Sequence, residues 1–171
     1  MMGRALLIIG VVATLGFVAT GILGYWVTGP AHPDMARHML LALGSCLLLL
    51  FSHLWILFYL VGIGRAIRLT IQDLGLEPGL SEATRRFKRC YPWLLLATAA
   101  ALATFILGGF VATRALPRWT HHSLFFVTLA LQVVALWLEG RALAGSEGLI
   151  GDVDRLAARL TERPPAAEMP G

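Results

Sequence analysis

Charge is what this sequence has least of. Only 14% of its 171 residues are charged and 57% are hydrophobic, with a mean hydropathy of +0.74. Soluble domains carry about 25% charged residues, so this composition excludes an ordinary soluble globule. Cysteine is nearly missing too. Cys46 lies inside an apolar run and Cys90 at the opposite membrane face. That separation exceeds the ~5.5 Å between Cα atoms that a disulfide requires, so no disulfide framework is expected. There is no glycine-rich phosphate loop, no dinucleotide fingerprint, no CxxC pair and no nucleophile–base pair outside the apolar runs. Nucleotide, hydrolase and thiol-redox chemistry are thereby excluded, and the chain is not expected to be an enzyme on its own.

What the sequence has is four apolar runs of spanning length, over residues 5–27, 39–63, 91–113 and 123–143. Each reaches the roughly 20 residues that a helix needs to cross about 30 Å of hydrocarbon. The runs are continuous, without the alternation of a barrel strand. The first is about 23 residues long, beyond the 7–15 of a signal-peptide core, and is expected to be retained. The expected fold is therefore all-α: a polytopic four-helix bundle occupying residues 1–148, with a cytoplasmic loop over 64–90. Residues 149–171 are expected to form a cytoplasmic amphipathic segment, with a surface helix over 151–160, and a disordered tail. These spans leave no room within the 171 residues for a soluble catalytic domain.

The formal charge of +4 and the pI near 9.7 do not indicate nucleic acid, because the basic residues flank the apolar runs. Arg65, Arg68, Arg85, Arg86, Lys88 and Arg89 follow the second run, and Arg155, Arg159 and Arg163 follow the fourth. The other side has Arg37, Arg114 and Arg118. The positive-inside rule then places both termini and the long loop in the cytoplasm, in the inner membrane of the cell. Arg85, Arg86, Lys88 and Arg89 are expected to meet anionic lipid or a soluble partner. Tyr25, Trp26 and Trp119 on one side, with Tyr91 and Trp93 on the other, fit interfacial belts. Pro33 and Pro117 suit first turns of helices, Leu74–Gly79 reads as a turn, and Ser81 as an N-cap.

The two halves resemble each other. An ungapped shift of 84 places Thr14 on Thr98, Thr20 on Thr104, Gly24 on Gly108, Pro33 on Pro117 and His38 on His122. Two repeated helical hairpins related by a pseudo-two-fold axis along the membrane normal are implied. Small residues recur four apart: Gly16, Thr20 and Gly24 on the first helix, and Ala100, Thr104 and Gly108 on the third. Such stripes let helices approach closely, either within the bundle or against another subunit or a second copy.

Histidines carry the chemical interest, since imidazole is the commonest metal and haem ligand and is costly within a bilayer. His32, His38, His121 and His122 lie at the outer ends of the second and fourth helices. Two on parallel helices could hold a b-type haem. The repeat picks His122. Helical periodicity instead puts His121 on one face with Thr128, Gln132, Ala135 and Glu139. A soft-metal alternative draws on His32, Met35, His38 and Met39. The bland reading, hydrogen bonding at the interface, competes with both. His53 is deeper, near the bilayer centre, on a polar stripe with Ser45, Cys46, Ser52 and Tyr59. It reads either as an interhelical hydrogen-bond partner, of Gln132 for example, or as a proton, quinone or haem site. Glu139 either joins this interior or snorkels beside Arg141.

In layout the chain is similar to cytochrome b-type membrane anchors, a likeness of architecture only. The functional expectation is a non-catalytic membrane subunit or accessory protein of a larger, respiratory, assembly. The alternative is a cytochrome b-like electron carrier or quinone-interacting subunit.

Overall fold

The computed structural model describes residues 2–27, 31–75 and 79–161. It is all-helical over them: α1 (Met2–Trp26), α2 (Met35–Asp73), α3 (Gly79–Ala83), a 3₁₀ helix (Thr84–Cys90), α4 (Tyr91–Ala112) and α5 (Arg118–Thr161). Four of these segments are long and apolar enough to cross a membrane. The expected hairpins are present, α1 with α2 and α4 with α5. They pack side by side through α1/α5 and α2/α4, and α2 also meets α5 across the centre of the bundle. That central pairing of the second and fourth spans is what a pseudo-two-fold relation requires.

The outside of the bundle is a lipid-like surface. Ile8, Leu15, Ile22, Leu40, Phe51, Phe58, Leu95 and Val133 are all exposed. The inside is the polar part: Thr14, Thr20, Ser45, Ser52, His53, Thr104, Thr128, Gln132, Glu139 and Ser146 are buried. Hydrocarbon cannot satisfy a hydroxyl, amide or carboxyl, so these groups turn toward one another.

Two helix boundaries differ from the sequence expectation. The expected loop over 64–90 is mostly helix, because α2 continues to Asp73 and the helical backbone resumes at Gly79. Ser81 therefore lies within α3 rather than capping it. Residues 76–78 of the expected turn lie outside the described residues. Likewise α5 runs unbroken through Thr161, so 151–160 is no separate surface helix; the tail beyond it lies outside the described residues. Apolar residues four apart explain both extensions. Ile67 and Ile71 on α2 share one cluster with Leu149 and Val153 on α5, and Phe87 of the 3₁₀ helix joins them. At 1.5 Å per residue, α2 and α5 reach about 58 and 66 Å, well beyond the bilayer core. Pro33 and Pro117 also precede their helices, which start at Met35 and Arg118.

The 3₁₀ helix explains how the basic cluster is displayed. Its three-residue repeat puts Thr84, Phe87 and Cys90 on one buried edge and leaves Arg85, Arg86, Lys88 and Arg89 exposed.

Candidate functional site

The small-residue stripes lie along the seams inside each hairpin, so they present no docking face. A Cβ on Gly16 would stand 3.0 Å from Ser45 Oγ, and Thr20 Oγ1 lies 3.3 Å from the same hydroxyl. In the second hairpin Thr104 and Thr128 hydroxyls are 2.8 Å apart, and Thr128 also donates to the Ala100 carbonyl at 3.2 Å. Thr20 donates to Gly16 O and Thr104 to Ala100 O, one turn back on their own helices.

The same seams seat two imidazoles. His38 packs on Gly24, where a Cβ would lie 2.6 Å from Cε1. His121 packs on Gly108, where the corresponding distance is 3.1 Å. The Thr20 backbone lies beside the His38 ring, and the Thr104 backbone beside that of His121. In both rings Nδ1 is buried with no hydrogen-bond partner. Structural equivalence therefore shifts by 84 in the first helices (Thr20 to Thr104, Gly24 to Gly108). It shifts by 83 in the second helices (His38 to His121, Ser45 to Thr128). The second hairpin's connection is one residue shorter, and an ungapped alignment misassigns His122 for that reason. His122 instead leans on Tyr25, with ring centroids 4.8 Å apart.

Between the hairpins, at this histidine end, lies a cavity of about 830 Å³. His38, His121 and His122 line it together with aromatic and aliphatic walls from Phe17, Phe105 and Phe125. Phe125 locks the hairpins together. It stacks on Phe17 at 5.1 Å and fits against Gly21, where any Cβ would collide with its ring. Two arginines stand at the cavity wall. Arg118 donates to the Val27 carbonyl at 3.0 Å. Arg114 closes α4 with the hydrogen bonds of a Schellman cap, Arg114 N to Val111 O and Ala115 N to Phe110 O. Its φ of 61° is a conformation that favours glycine. The equivalent cap at the end of α2 does use glycine, Gly75 at φ 62°.

Comparison with family models, curated proteins and solved structures gives no match. The reading of this site rests on its geometry.

The soft-metal set does not assemble. His38, Met35 and Met39 line the cavity, but the His32 ring is turned back, its Nδ1 accepting a hydrogen bond from Asp34 N at 3.2 Å. Among the described residues no three His, Cys, Asp or Glu side chains converge as a metal site.

A second polar centre lies deeper. His53 is 2% exposed and Glu139 0%, and His53 Nε2 is 3.4 Å from Glu139 Oε1. Thr98 Oγ1 lies 2.7 Å from His53 Nδ1. Gln132 adjoins the ring as expected and donates to the Ala97 carbonyl at 3.3 Å. Thr98 is seven residues into the 22 of α4, or about 10 Å at the helical rise, so this centre lies deep in the span, on the basic side of its middle. Glu139 does not snorkel. Arg141, two residues on, faces elsewhere and stacks over Trp137 at 4.8 Å.

Sequence reasoning counts Arg114 and Arg118 only as topology signals, and does not single out Gly10, Gly21 or Phe125. Gly21 stands three residues before Gly24 and Gly10 six before Gly16, and neither spacing says which neighbour the glycine admits.

Proposed function

We propose that the protein is a non-catalytic electron-transfer subunit of a larger respiratory assembly, holding a b-type haem between His38 and His121. The observation that carries this is the pair of equivalent imidazoles, each seated on a glycine with its Nδ1 buried in the protein, lining one cavity of about 830 Å³. A ligating histidine typically engages a backbone carbonyl through its other nitrogen, and the Thr20 and Thr104 backbones stand in that place. A bare ion needs no such volume, whereas ligand sites span roughly 300–1,000 Å³. The apolar walls suit a flat macrocycle, and Arg114 and Arg118 suit its carboxylates. Bound haem b would supply one-electron chemistry; His38 and His121 would hold it, within an apolar pocket with Arg114 and Arg118 at its wall.

The positive-inside argument places this cavity on the face away from the cytoplasm, with the 3₁₀ segment and the ends of α2 and α5 in the cytoplasm. Anionic lipid and partner subunits are the expected company of the exposed basic cluster.

The test is spectroscopic. Protein purified after haem-replete expression should show reduced-minus-oxidised Soret and α bands at one haem per chain. His38→Ala and His121→Ala should each remove them, and His122→Ala should keep them. A colourless, folded wild type overturns the haem reading, and so does loss of the bands in His122→Ala alone.

A further inference from the structure

Five polar atoms converge below the cavity without hydrogen-bond partners: Ser52 Oγ, His53 Nε2, Gln132 Oε1 and both carboxyl oxygens of Glu139. Buried polar groups are almost always paired, so such a concentration points to a functional centre. Gly10 of α1 lets the helices close upon it. A Cβ there would lie 3.1 Å from Ser52 Oγ and 3.6 Å from Glu139 Oε2.

The proton inventory of the pair follows from its partners. The one hydroxyl hydrogen of Thr98 has two acceptors in reach, the Leu94 carbonyl at 2.8 Å and His53 Nδ1 at 2.7 Å. When it goes to Leu94, Nδ1 carries the ring hydrogen and the Nε2 lone pair faces Glu139 Oε1 at 3.4 Å, a contact that is repulsive until one proton joins the pair. When it goes to Nδ1, Nε2 carries the ring hydrogen toward the carboxylate, and a further proton is taken up on Glu139. Separated charges are heavily penalised where water is excluded, so the neutral arrangement, carboxylic acid beside imidazole, is favoured.

We propose that His53 and Glu139 form a single-proton binding site inside the membrane span, exchanging with the histidine end. Release leaves a carboxylate and a neutral imidazole; uptake restores the acid. The exchange route is the polar column of α5: Gln132 beside His53, Thr128 one turn on, and Thr104, whose hydroxyl lies 2.8 Å from that of Thr128 and whose backbone adjoins His121. Toward the basic end the site is closed by the apolar cluster of Leu6, Leu60, Phe87, Leu94 and Leu143. The ionisable groups around it are few. Cys90 on the α4 side is within electrostatic reach, with its thiol hydrogen donated to the Phe87 carbonyl at 2.9 Å. From α1, α2 and α5 come Thr14, Ser52 and Gln132, none of which titrates, and Arg141 points away. This site does not depend on what fills the cavity.

The experiment is infrared difference spectroscopy of the full chain in liposomes across a pH titration. Wild type should show the carbonyl stretch of a protonated carboxylic acid that shifts in D₂O. Glu139→Gln should lack it, Glu139→Asp should retain it at a displaced frequency, and His53→Gln should displace it. Thr128→Val should slow its deuterium exchange. The band should persist in His121→Ala, which separates this inference from the haem reading. The proposal is overturned if wild type shows only ionised carboxylate at every pH, or carries a stoichiometric metal at this pair. It is equally overturned if His53→Gln leaves the band untouched. Should Glu139→Gln not fold, the wild-type band and its response to His53→Gln decide.

Discussion

Adding one methyl group to Gly24 is a sharp test of how His38 is seated. In Gly24→Ala the new Cβ would stand 2.6 Å from His38 Cε1, and in Gly108→Ala it would stand 3.1 Å from His121 Cε1. Carbon pairs are comfortable near 3.5–4.0 Å, so His38 must retreat by about 1 Å and His121 by about half of that. Overpacking on this scale costs about 1–3 kcal/mol, so Gly24→Ala belongs at the upper part of that range and Gly108→Ala near its foot. Alanine also raises helix propensity by up to about 1 kcal/mol, which works the other way. Gly44→Ala and Gly62→Ala isolate that gain, because nothing lies within 4 Å of a Cβ at either position. Unfolding by titrated denaturing detergent, followed by far-UV circular dichroism, gives the stability order. Gly44→Ala and Gly62→Ala should equal or exceed wild type, Gly108→Ala should fall slightly below, and Gly24→Ala should be lowest. Haem titration of the same four proteins should place the largest loss of affinity at Gly24→Ala. If Gly24→Ala matches Gly44→Ala in both measurements, His38 is not held against α1 and the paired-imidazole argument collapses.

Arg114→Gly should relieve the positive-φ conformation and raise stability by up to about 1 kcal/mol, while weakening binding of a carboxylate-bearing ligand; a drop in stability would contradict the cap geometry. Neutralising Arg85, Arg86, Lys88 and Arg89 together should weaken binding to anionic liposomes by about 1 kcal/mol per residue at low salt, and unchanged partitioning would refute the contact. Reporter fusions at Gly79 and at the C-terminus should read cytoplasmic and a fusion at Asp34 external, with the opposite pattern inverting the proposed orientation.

The four spans were legible because continuous apolar runs of about 20 residues have one common solution in a bilayer. Their ends on the basic side were not. Beyond Ile63 and Leu143 the apolar residues thin to one face, and Ile67, Ile71, Leu149 and Val153 show their purpose only when α2 and α5 lie together. The repeat pairs His38 with His122, whereas the packing on Gly24 and Gly108 pairs it with His121, since a shortening by one residue turns a helical face by about 100°. Helical periodicity alone pointed to His121. For Glu139 the sequence leaves two readings open, the bundle interior or a shared exit to water with Arg141. The interior is the one observed, since residues two apart point away from each other on a helix. Thr98 and Gly10 act on His53 and Glu139 from other helices, and no local pattern announces such a meeting.

The unbroken α5 has a mechanical consequence. One rod about 66 Å long carries His121 near one tip, Glu139 around its middle and Val153 near the other tip. With no proline and no break between them, the three cannot move independently. α2 meets this rod both at its middle, through His53 and Glu139, and farther along, through Ile67, Ile71, Leu149 and Val153. The histidine cavity, the buried carboxyl and the apolar contact to Phe87, under the basic cluster, are thus strung on one continuous element.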